Sequence, residues 1–130
     1  MNKGFTLVEL MAVLVLIVII ASIGYAGITA VQRNINQNLW EATVEEIETG
    51  AVKYGQDNLS RLTSTCNYGA ISNCLEVTVG FLIERNYVDT DEVDDSEKEI
   101  ITNNVTGEIV NDNIVYIYLE NNRVYAQYQE

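Results

Sequence analysis

MNKGFTLVELMAVLVLIVIIASIGYAGITAVQ, Met1 to Gln32, is the stretch whose reading decides the fold. Lys3 and Glu9 are its only charged residues, and the next charge is Arg33. The uncharged run from Leu10 to Gln32 exceeds the about 20 residues that a helix needs to cross a bilayer. With no proline to break it, the run reads as one helix, apolar all round, that faces lipid or other helices. Glu9 stands at its start, where a carboxylate is costly in lipid and must find a partner. Lys3 places that end in the cytoplasm by the positive-inside rule, and the rest of the chain beyond the membrane. The small-residue cleavage site that follows the apolar run of a secretory signal is absent.

The helix is predicted to continue to about Tyr54. Trp40, Val44, Ile47, Ala51 and Tyr54 recur at alternating steps of four and three, which makes one face. Glu41, Glu45 and Glu48 fall off that face. An earlier stripe, Ile28, Val31, Ile35 and Leu39, lies before it. The helix therefore changes partner near Leu39: lipid or helices before it, its own body after it. Gly50 and Gly55 are expected to weaken the end, and Gly55 to Asn58 to stop it.

Residues from about Asp57 to Leu75 read as a connector rich in Ser, Thr, Asn and Gly. Cys66 and Cys74 close a short loop around Asn67, Tyr68 and Gly69. Beyond the membrane a disulfide is permitted, and a structural bridge is preferred to a redox pair. Two thiols without histidine are too few for structural zinc. Leu75, Val79, Leu82 and Ile83 suggest a short second helix ending near Asn86, with Tyr87 and Val88 tucked back against it. Asp89 to Glu99 reads as an exposed acidic loop. The stretches Glu99 to Thr102 and Glu108 to Val110 read as short strands, with turns at Thr106-Gly107 and Asn111 to Asn113.

The C-terminal region is β. Ile114 to Glu120 and Arg123 to Tyr128 flank Asn121-Asn122, which suits a two-residue type I′ turn. That register pairs Leu119 with Val124, Ile117 with Ala126 and Val115 with Tyr128 on a face suited to the helix. Tyr118 pairs with Tyr125 and Glu120 with Arg123 on the other face. The fold class is α+β: a long N-terminal helix against a small antiparallel sheet.

Composition narrows the function. The net charge is −12, and the basic residues after Lys3 (Arg33, Lys53, Arg61, Arg85, Lys98, Arg123) do not cluster. Nucleic-acid binding by the monomer is not expected, because that affinity comes from Lys and Arg on phosphates. There is no histidine, which removes the usual general base and the commonest metal ligand. No cofactor and no enzymatic activity are expected. Asp89, Asp91, Asp94 and Asp95 are the candidates for a calcium site. Their run lacks the Gly and Glu that an EF-hand loop needs at its sixth and twelfth positions, so a solvated acidic surface is preferred. Asn58-Leu59-Ser60 and Asn104-Val105-Thr106 fit the glycosylation sequon and are assigned no role. Tyr116, Tyr118 and Tyr125 are either good strand residues or a contact surface.

Lys3-Gly4-Phe5-Thr6-Leu7-Val8-Glu9-Leu10-Met11 resembles the processing site of type IV pilins and pseudopilins, a likeness that is tight from Lys3 to Leu16. The short helix followed by Asn86-Tyr87-Val88 is similar to a helix and Gly-Tyr-aliphatic turn in Gram-positive members, with Asn86 in place of Gly. The resemblance implies a prepilin peptidase that cuts between Gly4 and Phe5 and methylates the new Phe5 amine. It implies that Glu9 meets the Phe5 amine of a neighbouring subunit. The expected organisation is a leader at 1–4, a long helix at 5–54 with its membrane and filament-core part at about 5–32, and a globular head at 55–130. The implied function is a structural subunit of a type IV pilus-like filament. It is held in the cell membrane with its N-terminus cytoplasmic before assembly, and lies on the cell surface afterwards. Implied partners are copies of itself, the peptidase, and the assembly platform and motor. The alternatives are a minor pilin or pseudopilin of a competence or type II-like secretion system, and a non-polymerising single-pass surface-binding module.

Overall fold

The computed structural model describes residues 3–66, 69 and 71–130. The chain divides into two compact units, 1–36 and 37–130, and one helix, α1 (Leu7–Asp57), contributes to both. The helix begins two residues later and ends three residues later than expected. At its end the Asn58 side-chain amide donates to the Tyr54 carbonyl at 2.9 Å, which satisfies one of the acceptors a helix terminus leaves open. A 3-10 turn, Leu59–Arg61, follows.

In the first unit every described α1 position from Leu7 onward is exposed except Asn36, which is half-buried. From Trp40 the pattern changes. Trp40, Ile47, Ala51 and Tyr54 are buried and Val44 is half-buried, which is the face read from the spacing. The helix runs through Gly50 and past Gly55 to Asp57. Both glycines are buried positions where other segments come close. A Cβ on Gly50 would collide with the Tyr87 carbonyl oxygen and sit 2.8 Å from Val88 Cγ2. One on Gly55 would lie 2.6 Å from Ile117 Cγ2 and 2.7 Å from Val124 Cγ1.

The body is a three-stranded antiparallel sheet in the order β1 (Cys74–Thr78), β4 (Ile114–Glu120), β5 (Arg123–Tyr128). The β4–β5 hairpin has the expected register, from Val115 opposite Tyr128 to Glu120 opposite Arg123. Asn121 and Asn122 have φ of 52° and 62°, as a type I′ turn requires. Val115, Ile117, Val124 and Tyr128 are buried with the helix face.

Strand β1 corrects the reading of Leu75 as helical. Leu75 and Val77 pair with Ile117 and Val115 in an antiparallel ladder, a long-range partner that local spacing does not reveal. The second helix, α2 (Val79–Glu84), starts only at Thr78, whose hydroxyl accepts the Phe81 N–H. It ends as expected: Asn86 has φ of 60°, and the Tyr87 N–H donates to the Leu82 carbonyl at 2.9 Å. The acidic run is also corrected from a loop to a small ribbon, β2 (Glu92–Val93) against β3 (Glu99–Ile100). Asp94 makes its turn, with Oδ1 accepting the N–H groups of Ser96 and Lys98. Of the two strands expected further on, the one over Glu99 to Thr102 forms at Glu99–Ile100 as β3, and Glu108 to Val110 contributes a single bridge, Ile109 with Thr102.

Candidate processing and assembly site

Residues 3–6 precede the helix and are not helical. Phe5 is 89% exposed, and a Cβ on Gly4 would meet nothing within 4 Å. The Gly4–Phe5 bond thus lies in accessible, non-helical chain. The helix begins where it does because Thr6 and Glu9 cap it reciprocally. The Glu9 N–H donates to Thr6 Oγ1 at 3.2 Å, and the Thr6 N–H donates to Glu9 Oε2 at 3.0 Å. The Thr6 carbonyl accepts the first helical bond, from the Leu10 N–H at 3.2 Å. Two otherwise unpaired donors are satisfied at once, and a carboxylate is held at the positive end of the helix dipole. Lys3, Gly4, Phe5, Thr6 and Glu9 together line one shallow surface cleft. The sequence reading missed the part played by Thr6, although Thr-x-x-Glu ahead of an apolar run is the signature of such a cap.

Past this cap α1 is long and apolar enough to cross a membrane, and its own chain buries none of the most apolar window. Phe5, Leu7, Val8 and the aliphatic residues onward to Leu39 form an exposed apolar surface far larger than a soluble body normally tolerates. The helix is continuous through Gly24 and Gly27, where an added Cβ would meet nothing. The Ser22 hydroxyl bonds back to the Val18 carbonyl at 2.7 Å.

Cys66 and Cys74 are disulfide-bonded, with Cα atoms 5.6 Å apart and both residues buried. Asn67 and Tyr68 of the enclosed loop lie outside the described residues, as do Met1 and Asn2. The bridge anchors the start of β1: the Cys74 N–H donates to the Ser64 carbonyl, and the Cys66 N–H to that of Ile71. Asp89, Asp91, Asp94 and Asp95 are not gathered into a cation site. Among the described residues no group of three or more His, Cys, Asp or Glu could hold a metal ion, and Asp94 is engaged in its turn. Tyr118 and Tyr125 stack on the outer face of the sheet, with centroids 5.6 Å apart and planes at 24°.

The body is tied to α1 by polar contacts that no spacing announced. Glu48 Oε1 accepts the Tyr128 N–H at 3.0 Å, and Trp40 Nε1–H donates to Glu130 Oε1 at 3.0 Å. Trp40 and Tyr128 meet edge to face at 5.7 Å. The Tyr87 hydroxyl donates to Asp57 Oδ2 at 2.8 Å; that bond first, then burial, raises the Tyr87 pKa above its ordinary value. Burial likewise raises Tyr128, against a hydrogen bond from Asn113 that lowers it. Asn111 is a buried hub. Its Oδ1 accepts the Ile101 N–H, its Nδ2 donates to the Glu99 carbonyl, and its own carbonyl accepts the Gly80 N–H.

The described residues thus comprise a small α+β body and a helix of membrane-spanning length, whose capped start lies beside an accessible Gly4–Phe5 bond. Residues 1–25 match the prokaryotic N-terminal methylation motif. That match supports a type IV pilin-like family, implies processing by a prepilin peptidase and points to a structural protein. With the apolar helix it fits anchoring in a membrane before assembly. No curated protein and no solved structure matches the chain.

Proposed function

We propose that this chain is a structural subunit, a pilin, of a type IV pilus-like filament. The observation that carries the reading is the methylation motif joined to an apolar helix surface that the chain's own body leaves uncovered. A prepilin peptidase cuts between Gly4 and Phe5 and methylates the Phe5 amine. Residues 1–4 are the leader, and about 5–32 serve as membrane anchor and then as filament core. Leaving lipid requires compensation, which neighbouring helices supply in the core. Glu9 recovers part of its desolvation cost through the Phe5 amine of a neighbouring subunit. The platform and motor that extract the subunit are other proteins, and the filament lies on the cell surface.

Two measurements on material from the native host test this. Intact mass should show a chain that begins at methylated Phe5. Electron microscopy of sheared surface material, with mass spectrometry of what the filaments contain, should find it as their main component. Retention of residues 1–4 on the mature chain would sink the reading. Presence only in trace amounts at filament ends would instead assign it to the minor pilins, and a processed protein that stays in the membrane to the pseudopilins.

A further inference from the structure

A filament built from this chain must bring strongly acidic bodies together, since the net charge is −12. Like-charged surfaces repel, so close packing needs local complementarity. The bases of the body are Lys53, Arg61, Arg85, Lys98 and Arg123. Arg61 lines a groove between the end of α1, β1 and α2, and Arg85 lies over the ring of Phe81, a lining residue of the same groove. Its apolar lining includes Leu75, Val77 and Phe81, and Arg61 lies along it. Arg61 Nη1 donates to the Tyr54 hydroxyl at 3.1 Å, which fixes the guanidinium at the rim. Arg85 stacks over the Phe81 ring, 5.1 Å from its centroid, and the same ring meets Tyr54 edge to face at 5.3 Å. Glu76 is the one carboxylate in the lining. The groove therefore offers an apolar floor with one cation in its lining and a second held on the ring of its Phe81.

The β2–β3 ribbon has the opposite character. Asp91, Glu92, Asp95, Glu97 and Glu99 are exposed, against Lys98 alone. Among them Val93 is 58% exposed, an aliphatic residue that its own chain leaves largely uncovered. An apolar knob among carboxylates matches an apolar groove that carries Arg61 and, on its Phe81, Arg85. Neither surface is complementary to itself, so the contact is heterologous, the kind that propagates into a helical filament rather than closing a dimer.

We propose that the Arg61–Arg85 groove of one subunit receives the acidic β2–β3 ribbon of a second copy. This rests on the filament reading above and adds a contact between bodies to the one between helices. Guanidinium is suited to the role because it holds a planar, weakly hydrated charge against an aromatic ring and still donates to carboxylates.

The test is a charge swap in the full-length chain in its native host. One variant carries Arg61→Glu with Arg85→Glu, a second carries Glu92→Arg with Asp95→Arg, and a third carries all four. Asp94 is left alone because it holds the ribbon's turn. Each one-sided variant should insert, be processed and form its disulfide as the parent does, yet give about tenfold fewer filaments from the same membrane pool, since paired charges become repelling ones. The fourfold swap should recover filament yield to within about threefold of the parent, the residue being imperfect geometry after exchange. Arg61→Gln with Arg85→Gln gives a milder variant, for use if the reversal lowers the membrane pool, and should lose about threefold. Parent-like filaments from the one-sided variants, or a fourfold swap no better than either half, overturns the contact while leaving the filament reading intact. A processed parent that makes no filaments removes the filament reading, and this contact with it.

Discussion

At the scale of single residues, the N-terminal carboxylate caps the helix, and under the proposed function it also partners an amine. As a helix cap Glu9 needs only an oxygen acceptor, whereas as partner of an amine it needs its charge. Glu9→Gln retains the first and loses the second, and Glu9→Val loses both. Both variants should insert in the membrane, because the helix that follows is unchanged. Both should assemble poorly, since an amine left without a counter-charge in the filament core costs several kcal/mol. Thr6→Ala removes one cap bond and should cost the helix start about 1 kcal/mol. Circular dichroism and filament counts read the two effects apart. Parent-like filaments from Glu9→Gln alone would exclude the charge. A second prediction concerns Tyr87 and Tyr128, whose pKa values are raised in the folded chain from an ordinary value of 10.0. A raised folded pKa stabilises fully below the unfolded value, and the benefit is lost as pH rises through the folded one. Thermal stability of the body should therefore fall on raising the pH above about 10. Tyr87→Phe with Tyr128→Phe should flatten that fall, and an unchanged alkaline slope would count against these two hydroxyls.

Among elements, the second half of α1 is held by close backbone approach as much as by apolar burial. Gly50→Ala gains about 1 kcal/mol of helix propensity. It also drives a methyl into the Tyr87 carbonyl and Val88 Cγ2, an overpacking that costs about 1–3 kcal/mol or more. A net loss of thermal stability is expected for Gly50→Ala, and none for Gly24→Ala, where no atom lies within reach. Equal melting temperatures for the parent and Gly50→Ala would mean that α1 and the Tyr87 turn are looser than described. The Cys66–Cys74 bridge spans eight residues of sequence, and closing so short a loop contributes about 2–3 kcal/mol in the chain-entropy model. Reduction should lower the melting temperature and expose two thiols. Free reaction with an alkylating agent before reduction would show that the bridge is absent.

For the molecule as a whole, the proposed filament would set a continuous helix among other helices in place of lipid. Proline kinks are excluded by composition. The weakest part of the apolar half is Gly24 to Gly27, whose two glycines each cost about 1 kcal/mol relative to alanine. In lipid an opened turn leaves amides unpaired, which holds the helix continuous. In a packed filament neighbours can shield it. Any unwinding should therefore fall between Ser22 and Thr29. Gly24→Ala with Gly27→Ala should reduce filament extensibility while leaving the body's melting temperature unchanged. A filament map with helix intact throughout, or melted elsewhere, would refute the assignment.

What the sequence determined by itself was whatever rests on local pattern. The apolar run, the buried face from Trp40 to Tyr54, the Asn121-Asn122 hairpin with its register, and the Asn86 cap all follow from periodicities and backbone preferences that act within a few residues. Thr6 belongs with them, since its cap was written in the spacing and overlooked. Tertiary structure alone decided the rest. Cys74 to Thr78 is a strand because β4 offers it a ladder, and Gly50 and Gly55 are demanded by segments that approach from far along the chain. Glu48, Asn111 and Glu130 have their roles because folding brings them to Tyr128, Ile101 and Trp40. Such partners lie ten to ninety residues away, and a buried polar group must find one wherever the fold supplies it.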